Sequence, residues 1–523
     1  MRPAAPGGAL AAPPRPGASR GRYHGAGGVG SVRLVLPDEV LRIAARLRQA
    51  GHAVYLVGGA VRDALLGREP HDHDLATDAH PERVAALFPG ARADDAAFGR
   101  VLVGGVDVLT LRRESQYKDR RRPSVVAFTR SVRADLARRD FTVNAMAVDL
   151  RAPETPEVPG ESLIDPFGGV RDLQAGVLRT VGDPARRFAE DALRVLRAIR
   201  FRAELGLSYH PRLAEALRRA ASDRLLADLS AERIRDELSR ILVAIGCADA
   251  LRDLVRYGLL QAVLPECVPM VGCEQFNPMH LYDVWEHTVR AVQAISPTLT
   301  LRWAALLHDV AKPACRTFER LPPERPGAPE QVRTHFYAHE VQGAEVARAV
   351  LRRLRYPEWL VARVSGLVRH HMFSYAPDTR AGSARRIVLA LSMGGAFELL
   401  EVRHADRQAS RWPSGYGRDG ERFLTHLRAI LDARERFTLR DLTIDGHDVM
   451  RTWGIAPGPA IGVALRAVHQ LVLDEKLPNR REDLLRWLAE EGRGGAAAAG
   501  AAEVADPPQH VEASAPRGHA RGS

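Results

Sequence analysis

The chain has 523 residues, 46% hydrophobic and 27% charged, a globular balance long enough for roughly three to four domains. Lys and Arg number 75 against 64 Asp and Glu, a net charge of +11 with a pI near 9.9, which favours a polyanionic partner, nucleic acid before acidic membrane. Four cysteines without a CxxC pair, no apolar run near the ~18 residues of a membrane span and no leader before a cleavage site exclude secreted, membrane-spanning and wholly disordered classes, and fit a reducing cytoplasm.

Residues 1–30 are mostly Pro, Gly, Ala and Arg, and residues 491–523 are equally biased. Neither stretch buries enough apolar surface to offset its ordering entropy, so both read as disordered tails, the first of them basic. No internal repeat is present. From about Leu34 to Leu150, β-branched runs such as AVYLVGG (53–59), RVLVGGVDVLTLR (100–112) and SVVAF (124–128) alternate with helical stretches, which predicts a mixed α/β domain. From about Pro184 a period of 3.6 dominates and strand signals nearly vanish. Breaks fall near Asn277-Pro278 and in the Pro-rich loop RLPPERPGAPE (320–330).

Chemistry first enters at LVGGAVRDALLGREPHDHDLAT (56–77). A strand ends in Gly58-Gly59, and a helix then carries Arg62 and Asp63 in its first turns; glycines let a backbone approach a ligand, and helix N-terminal amides suit phosphate. Asp72 and Asp74, spaced i, i+2, would share one face of a strand. Two converging carboxylates suit hard Mg²⁺ and in-line nucleotidyl transfer, though the pair equally fits a polar turn. Asp107 on VDVLTLR is either a third carboxylate or a surface strand position. In LARRDFTVNAMAVD (136–149), Arg138, Arg139 and Asp140 lead an apolar strand as a triphosphate clamp or as an ion-paired strand edge.

Together with IDPFGGVRDL (164–173), RFAEDALRVLRAIRF (187–201) and SAERIRDELSRIL (230–242), these segments resemble the class II tRNA nucleotidyltransferase and poly(A) polymerase family, in its order and spacing over about residues 50–245. The resemblance implies a polymerase β-like α/β nucleotidyltransferase head followed by all-α neck/body, HD and tail domains. Boundaries are expected at 31–175 (head), 176–275 (neck/body), 276–410 (HD) and 411–490 (C-terminal helices). It assigns Asp72 and Asp74 to Mg²⁺, Gly59, Arg62 and Arg139 to the triphosphate, and Gly58, Asp191, Arg194, Arg197 and Arg200 to nucleotide binding.

The last four step by three along an expected helix 188–203, opposite the apolar Ala192, Val195, Leu196 and Ile199. Such a stripe is a solvated face or a base reader. Cytosine and adenine both present an amine donor beside a ring-nitrogen acceptor. Asp191 accepting and Arg194 donating would match both and leave buried groups unpaired against guanine or uracil. The implied activity is CCA addition or repair on the acceptor arm and 3′ end of tRNA from CTP and ATP, with a poly(A) polymerase and a CC-only or A-only adding enzyme as alternatives. A nucleotide-signalling hydrolase and an inactive RNA-binding protein fit the motifs less well. The segment 112–136 is long enough for the flexible loop of full CCA-adding members, which favours full addition.

Downstream, VWEHTVRAV supplies His287, LLHDVAKP supplies His308 and Asp309, HFYAHEVQ supplies His339, VRHHM supplies His370 and His371, and EVRHADR supplies Asp406. An ordered series of His and Asp in successive helices suits a divalent transition metal and resembles the HD phosphohydrolase domain. That resemblance implies a core site of His287, His308, Asp309 and Asp406, with His339 and His371 (in preference to His370) completing a second metal position. The segment 443–472 resembles the tail of HD-bearing tRNA nucleotidyltransferases, whereas poly(A) polymerases of the class usually end in a basic extension.

Overall fold

The computed structural model describes residues 32–33, 35–117, 123–150, 157–158, 162–276, 281–321, 331–373, 375, 381–410, 415–433 and 437–490. Both expected tails, the break at Asn277-Pro278, the inner part of the 320–330 loop and the middle of the 112–136 segment lie outside the described residues. The chain forms two compact units, Met1–Val263 and Leu264–Ser523.

Seven strands make the main sheet of the first unit. Edge to edge they run Leu163–Ile164, Ala147–Asp149, Val54–Val57, Asp74–Thr77, Val106–Thr110, Arg100–Val103 and Arg92–Asp95. Asp74–Thr77 and Val106–Thr110 pair in parallel while their neighbours pair antiparallel, so the sheet is mixed. Val57, Ala76 and Ala147 are wholly or nearly wholly buried and join Leu111, Leu136 and Val181 in one cluster. A central strand covered on both faces reads as a continuous apolar run, which is why Val54–Val57 is so plain in the sequence. Beside the sheet, Arg112–Tyr117 and Pro123–Phe128 form a separate antiparallel ribbon.

Helices follow. Pro184–Glu190 ends at Asp191, which has extended φ/ψ, and a second helix runs Leu193–Leu205. The expected single helix 188–203 is therefore two, and the break falls on the residue assigned to base reading. An Asp favours this because its side chain caps backbone amides in competition with the helix; here Asp191 Oδ1 accepts from the Leu193 amide at 3.1 Å. The Leu193–Leu205 helix packs on Ala231–Val243 and Cys247–Arg256.

The second unit is built on helices Val284–Ala294, Leu299–Leu307, His339–Arg353, Glu358–His370 and Ala381–Gln408, the last kinked at Ser392. Strand structure does not vanish after Pro184 as the periodicity suggested. Arg316–Leu321 and Gln331–Phe336 pair antiparallel, so the expected loop is flanked by the two strands of a hairpin, the first of which takes in Arg320 and Leu321. Three final helices, Gly446–Trp453, Pro459–Leu473 and Arg481–Glu490, close over Val449, Val468, Leu484 and Leu488. Among the described residues no helix is long and apolar enough to cross a membrane.

Candidate functional site

In the first unit the site begins where the Val54–Val57 strand stops. Gly58 has φ +75°, and a Cβ there would stand 2.7 Å from Arg139 Nη1, so only glycine admits the guanidinium this close. The next helix, Gly59–Leu65, sends Arg62 to Asn144 Oδ1 at 2.7 Å and to the Asp63 carboxylate. Strand Asp74–Thr77 begins at Asp74, so Asp72 lies in the loop before it and is exposed; the two aspartates do not share a strand face, as the spacing had suggested. Asp74 is half-buried, paired with Val57, and one step before the Leu75–Val108 register pair, which sets it beside Asp107. Burial, then the charge of Asp107, push the Asp74 carboxyl up, with Asp72 adding to the rise and Arg139 opposing it. Asp107 accepts from Arg100 Nε at 2.8 Å, so the third carboxylate is both a neighbour of Asp74 and an ion-paired strand residue.

Arg138, Arg139 and Asp140 precede a 3-10 turn at Thr142–Asn144 and the strand only starts at Ala147, a later start than the sequence suggested. Asp140 is buried, yet Arg197 at 2.6 Å and the Asn144 amide hold its carboxyl down to about 2 against the opposing effect of burial. Arg62, Arg197 and Arg200 all stand over the ring of Phe201, at 5.3, 5.2 and 4.4 Å. Glycine, arginine and aspartate positions read from four separate motifs thus form one group.

Two of the three arginines in the stripe are buried, and Arg197 is partly open. Arg194 is 8% and Arg200 3% exposed. Arg194 donates to Glu190 Oε2 at 2.8 Å and to the carbonyls of Arg187 and Arg138. Asp191 accepts from Arg233 at 2.8 Å, and Arg200 Nε lies 3.1 Å from Glu237. Burial raises the Glu237 carboxyl although Arg200 and Arg197 draw it down. Glu190, Arg233 and Glu237 had no role in the sequence reading. Arg233 and Glu237 sit four apart in SAERIRDELSRIL, a motif recognised there but given no chemistry; the i, i+4 spacing was the available signal.

The second unit gathers the six HD-type residues. His287, His308, Asp309, His339 and His371 are at most 4% exposed. His308, His339 and His371 each donate Nδ1–H to the carbonyl three residues back, at 2.8, 2.7 and 2.7 Å. A carbonyl only accepts, so each ring carries a proton on Nδ1 and turns Nε2 inward. The six side chains sort as His287, His308 and Asp406 on one side and Asp309, His339 and His371 on the other. Asp309 bridges them, with Oδ2 at 3.1 Å from His308 Nε2 and 3.6 Å from His287 Nε2, and Oδ1 at 3.4 Å from His339 Nε2. That differs from the expected grouping, which placed Asp309 in the core set alone.

His339 Nε2 and His371 Nε2 face each other at 3.3 Å. Two nitrogens held ~2.1 Å from one metal at roughly 100° would stand about 3.2 Å apart, so the donor set fits an ion between them. Burial, then the neighbouring histidines, push the His371 ring down to about 3, keeping it a neutral donor. His370 has its place on the same helix end but belongs to neither group. Lys312, unnoticed in the sequence though it follows His308 by one turn, puts Nζ 2.7 Å from Asp309 Oδ2 and donates to Gln275.

Known families divide the chain in the same order. Residues 54–179 match the Poly A polymerase head domain, 206–270 the probable RNA and SrmB-binding site of polymerase A, 279–393 the HD domain, and 424–488 the putative tRNA nucleotidyltransferase domain 2. An A-adding tRNA nucleotidyltransferase of Deinococcus radiodurans is 36% identical over 79% of this chain and 90% of its own length. A CCA-adding enzyme of Bacillus pumilus is 32% identical over 84% and 94%. The crystal structure of the Bacillus stearothermophilus CCA-adding enzyme in complex with CTP superposes with a TM-score of 0.63 at 28% identity, covering 88% of this chain and 99% of that one. The chain belongs to the tRNA nucleotidyltransferase family, and it is a nucleotidyltransferase with an HD domain.

Proposed function

We propose that the first unit builds or repairs the 3′-terminal CCA of tRNA from CTP and ATP, releasing pyrophosphate. The observation that carries this reading is the pairing of Asp191 with Arg233 and of Arg194 with Glu190, Arg187 and Arg138, which holds one acceptor and one donor edge in place. Asp191 would accept from the exocyclic amine shared by cytosine and adenine, and Arg194 would donate to the adjacent ring nitrogen. Gly58 and Gly59 clear room for the triphosphate, with Arg62, Arg139, Arg197 and Arg200 supplying its positive surroundings. Asp72, Asp74 and Asp107 would hold Mg²⁺; their all-oxygen donor set and mutual repulsion fit a hard divalent cation. When bound, Mg²⁺ activates the attacking 3′-hydroxyl and neutralises charge on the phosphoryl group.

The acceptor arm and 3′ end of tRNA are the inferred partner, read by shape and phosphate charge, in keeping with the +11 net charge. Head 31–175, neck/body 176–275, HD 276–410 and C-terminal helices 411–490 would divide this work. The four cysteines are buried and form no disulfide, which suits a reducing cytoplasm. His287, His308, Asp309, His339, His371 and Asp406 would hold divalent transition metal, which supplies a polarised water for phosphoester hydrolysis.

Full CCA addition is supported by the Arg112–Tyr117 and Pro123–Phe128 ribbon and by the CCA-adding relatives. The Deinococcus relative is an A-adding enzyme, so the product is to be read nucleotide by nucleotide. The test supplies tRNA ending at its discriminator base with Mg²⁺ and each nucleotide singly, then CTP with ATP. Addition of CCA that then stops is expected. A stop at CC, or addition only to a CC-ended tRNA, would overturn full addition, and a long A ladder without CTP would mean a poly(A) polymerase.

A further inference from the structure

Arg62 and Arg139 both lie against the glycine step that ends the Val54–Val57 strand. A Cβ at Gly58 would stand 2.7 Å from Arg139 Nη1, and one at Gly59 would stand 3.7 Å from Arg62 Nη2. Asn144 touches both guanidiniums. Its side-chain Oδ1 accepts from Arg62 Nη1 at 2.7 Å, and its backbone carbonyl lies 3.5 Å from Arg139 Nη1. The motifs leave this residue without a role, although it stands in the same RRDFTVNA run as Arg139.

The other end of the amide turns to a carboxylate. Asn144 Nδ2 donates to Asp140 Oδ1 at 3.2 Å, and Asp140 Oδ2 accepts from Arg197 Nε at 2.7 Å. Arg62, Asn144, Asp140 and Arg197 therefore form one line of hydrogen bonds between the helices Gly59–Leu65 and Leu193–Leu205. The neighbours dictate which way the amide faces: turned over, it would set donor against guanidinium and acceptor against carboxylate. The turn that carries it is held as well. The Asn144 backbone amide donates to the Phe141 carbonyl, and the Thr142 hydroxyl donates to Asp172 at 2.7 Å.

The residue type at this point is narrowly constrained. Arg62 and Arg197 carry like charges, yet both stand over the Phe201 ring, at 5.3 and 5.2 Å. They repel each other unless each is tied down. Asn144 is 6% exposed, so an apolar side chain there would leave an Arg62 N–H and an Asp140 lone pair unpaired inside the protein. An aspartate would keep the shape and the bond to Arg62 but set a second carboxylate against Asp140. A neutral amide satisfies both sides. Bonds to Asp63 and Asn144 use one N–H on each of Arg62 Nε, Nη2 and Nη1, which leaves the second hydrogen of each Nη for a ligand.

We propose that Asn144 is the positioning residue of the triphosphate subsite: it holds Arg62 and Arg139 at the glycine step and ties Arg62 to Arg197 through Asp140. The proposal rests on the nucleotidyl-transfer reading and deepens it, because it separates the groups that hold phosphate from Asp191 and Arg194, which would face the base. This line of hydrogen bonds does not include the base readers, so CTP and ATP depend on it equally.

The test is equilibrium binding of CTP and of CMP to the full chain, in Mg²⁺ and without tRNA, so that no transfer occurs. Wild type should bind CTP more tightly than CMP. Asn144→Ala and Asn144→Asp should each weaken CTP by about tenfold and CMP by less than about twofold, the loss expected of one buried hydrogen-bonding group. With tRNA supplied, KM for CTP and for ATP should rise by the same factor, and the preference for CTP over UTP should stay. A CTP-to-CMP ratio that keeps its wild-type value in both variants would overturn the role of Asn144 and leave the transferase reading standing, since general disruption of the fold moves both ligands alike. An Asp variant that binds CTP as wild type does would also overturn it, because the bond to Asp140 would then carry nothing. Wild type binding CTP no more tightly than CMP would sink the triphosphate reading itself, and the proposal with it.

Discussion

The two acid-bearing clusters of this chain solve the same electrostatic problem in opposite ways. Around Asp74 the donors are oxygens only, Asp72 is exposed, and burial with neighbouring carboxylates raises the Asp74 carboxyl. Around Asp309 the donors are mixed, five of the six are almost fully buried, and three imidazoles are aimed by the backbone carbonyls three residues before them. Burial would raise Asp309, yet His308 and Lys312 hold it well below the usual carboxylate range. The first cluster is thus rich in carboxylate and open to solvent at Asp72, as suits a cation that arrives with substrate phosphates. The second is neutralised and oriented before any ligand arrives, as suits a resident ion. Rigidity follows from the wall: carbonyl-locked rings in a packed helical core cannot swing, whereas a loop aspartate such as Asp72 can.

Substitutions that strike one cluster should leave the other intact. Asp74→Ala should cut nucleotide incorporation by about 10³-fold, a large loss for one transition-state group, with unchanged metal content in the second unit by elemental analysis; residual activity within tenfold of wild type would remove Asp74 from the chemistry. Asp309→Asn should do the reverse. It removes the bridge between the two ligand groups and should weaken bound transition metal by about 10²-fold, while incorporation by the head persists. Equal metal retention in that variant would mean the cluster is a satisfied polar core.

Base choice should be affected next. Asp191→Ala should erode discrimination between CTP and UTP by about 10²-fold, in line with the loss of one specific hydrogen-bonding group, and kcat/KM for each nucleotide measures it. A uniform loss with both would assign Asp191 to structure alone.

The smallest effect is in stability. Asp140 has a folded-state pKa of about 2 against an ordinary value near 3.8, so its charge contributes about 2 kcal/mol, present above pH ~4 and lost as pH falls through about 2. Asp140→Asn should therefore lower urea stability at pH 7 by about that amount, with the gap narrowing below pH 4. A gap independent of pH would show that the Arg197 pair contributes nothing as a charge pair.

Several parts of this arrangement were legible in residues alone. Val54–Val57 reads as a buried strand because it is apolar throughout, and Gly58-Gly59 marks its abrupt end. The six residues expected of an HD cluster were readable as His and Asp in successive segments, and the structure brings them to a common interior. What was read wrongly has a shared cause. Asp72 and Asp74 have strand spacing, but pairing with Val57 begins only at Asp74. Residues 188–203 have helical spacing, but the backbone is extended at Asp191, whose carboxylate accepts from the Leu193 amide, and the run is two helices. Periodicity reports which side chains would share a face; it does not report where backbone pairing starts or stops.

Composition, motif order and spacing by themselves determined the family, the α/β-then-helical plan and the identity of the candidate ligands. Only the tertiary structure decided that Arg194 and Arg200 are buried and not a solvated stripe, that Arg233 pairs with Asp191 and Glu237 with Arg200, and that Asp309 bridges two ligand groups. The physical reason is range. Motifs encode chemistry within a few residues of sequence, whereas burial and charge pairing are set by segments that meet only after folding, as Asp191 meets Arg233 and Asp406 meets His287.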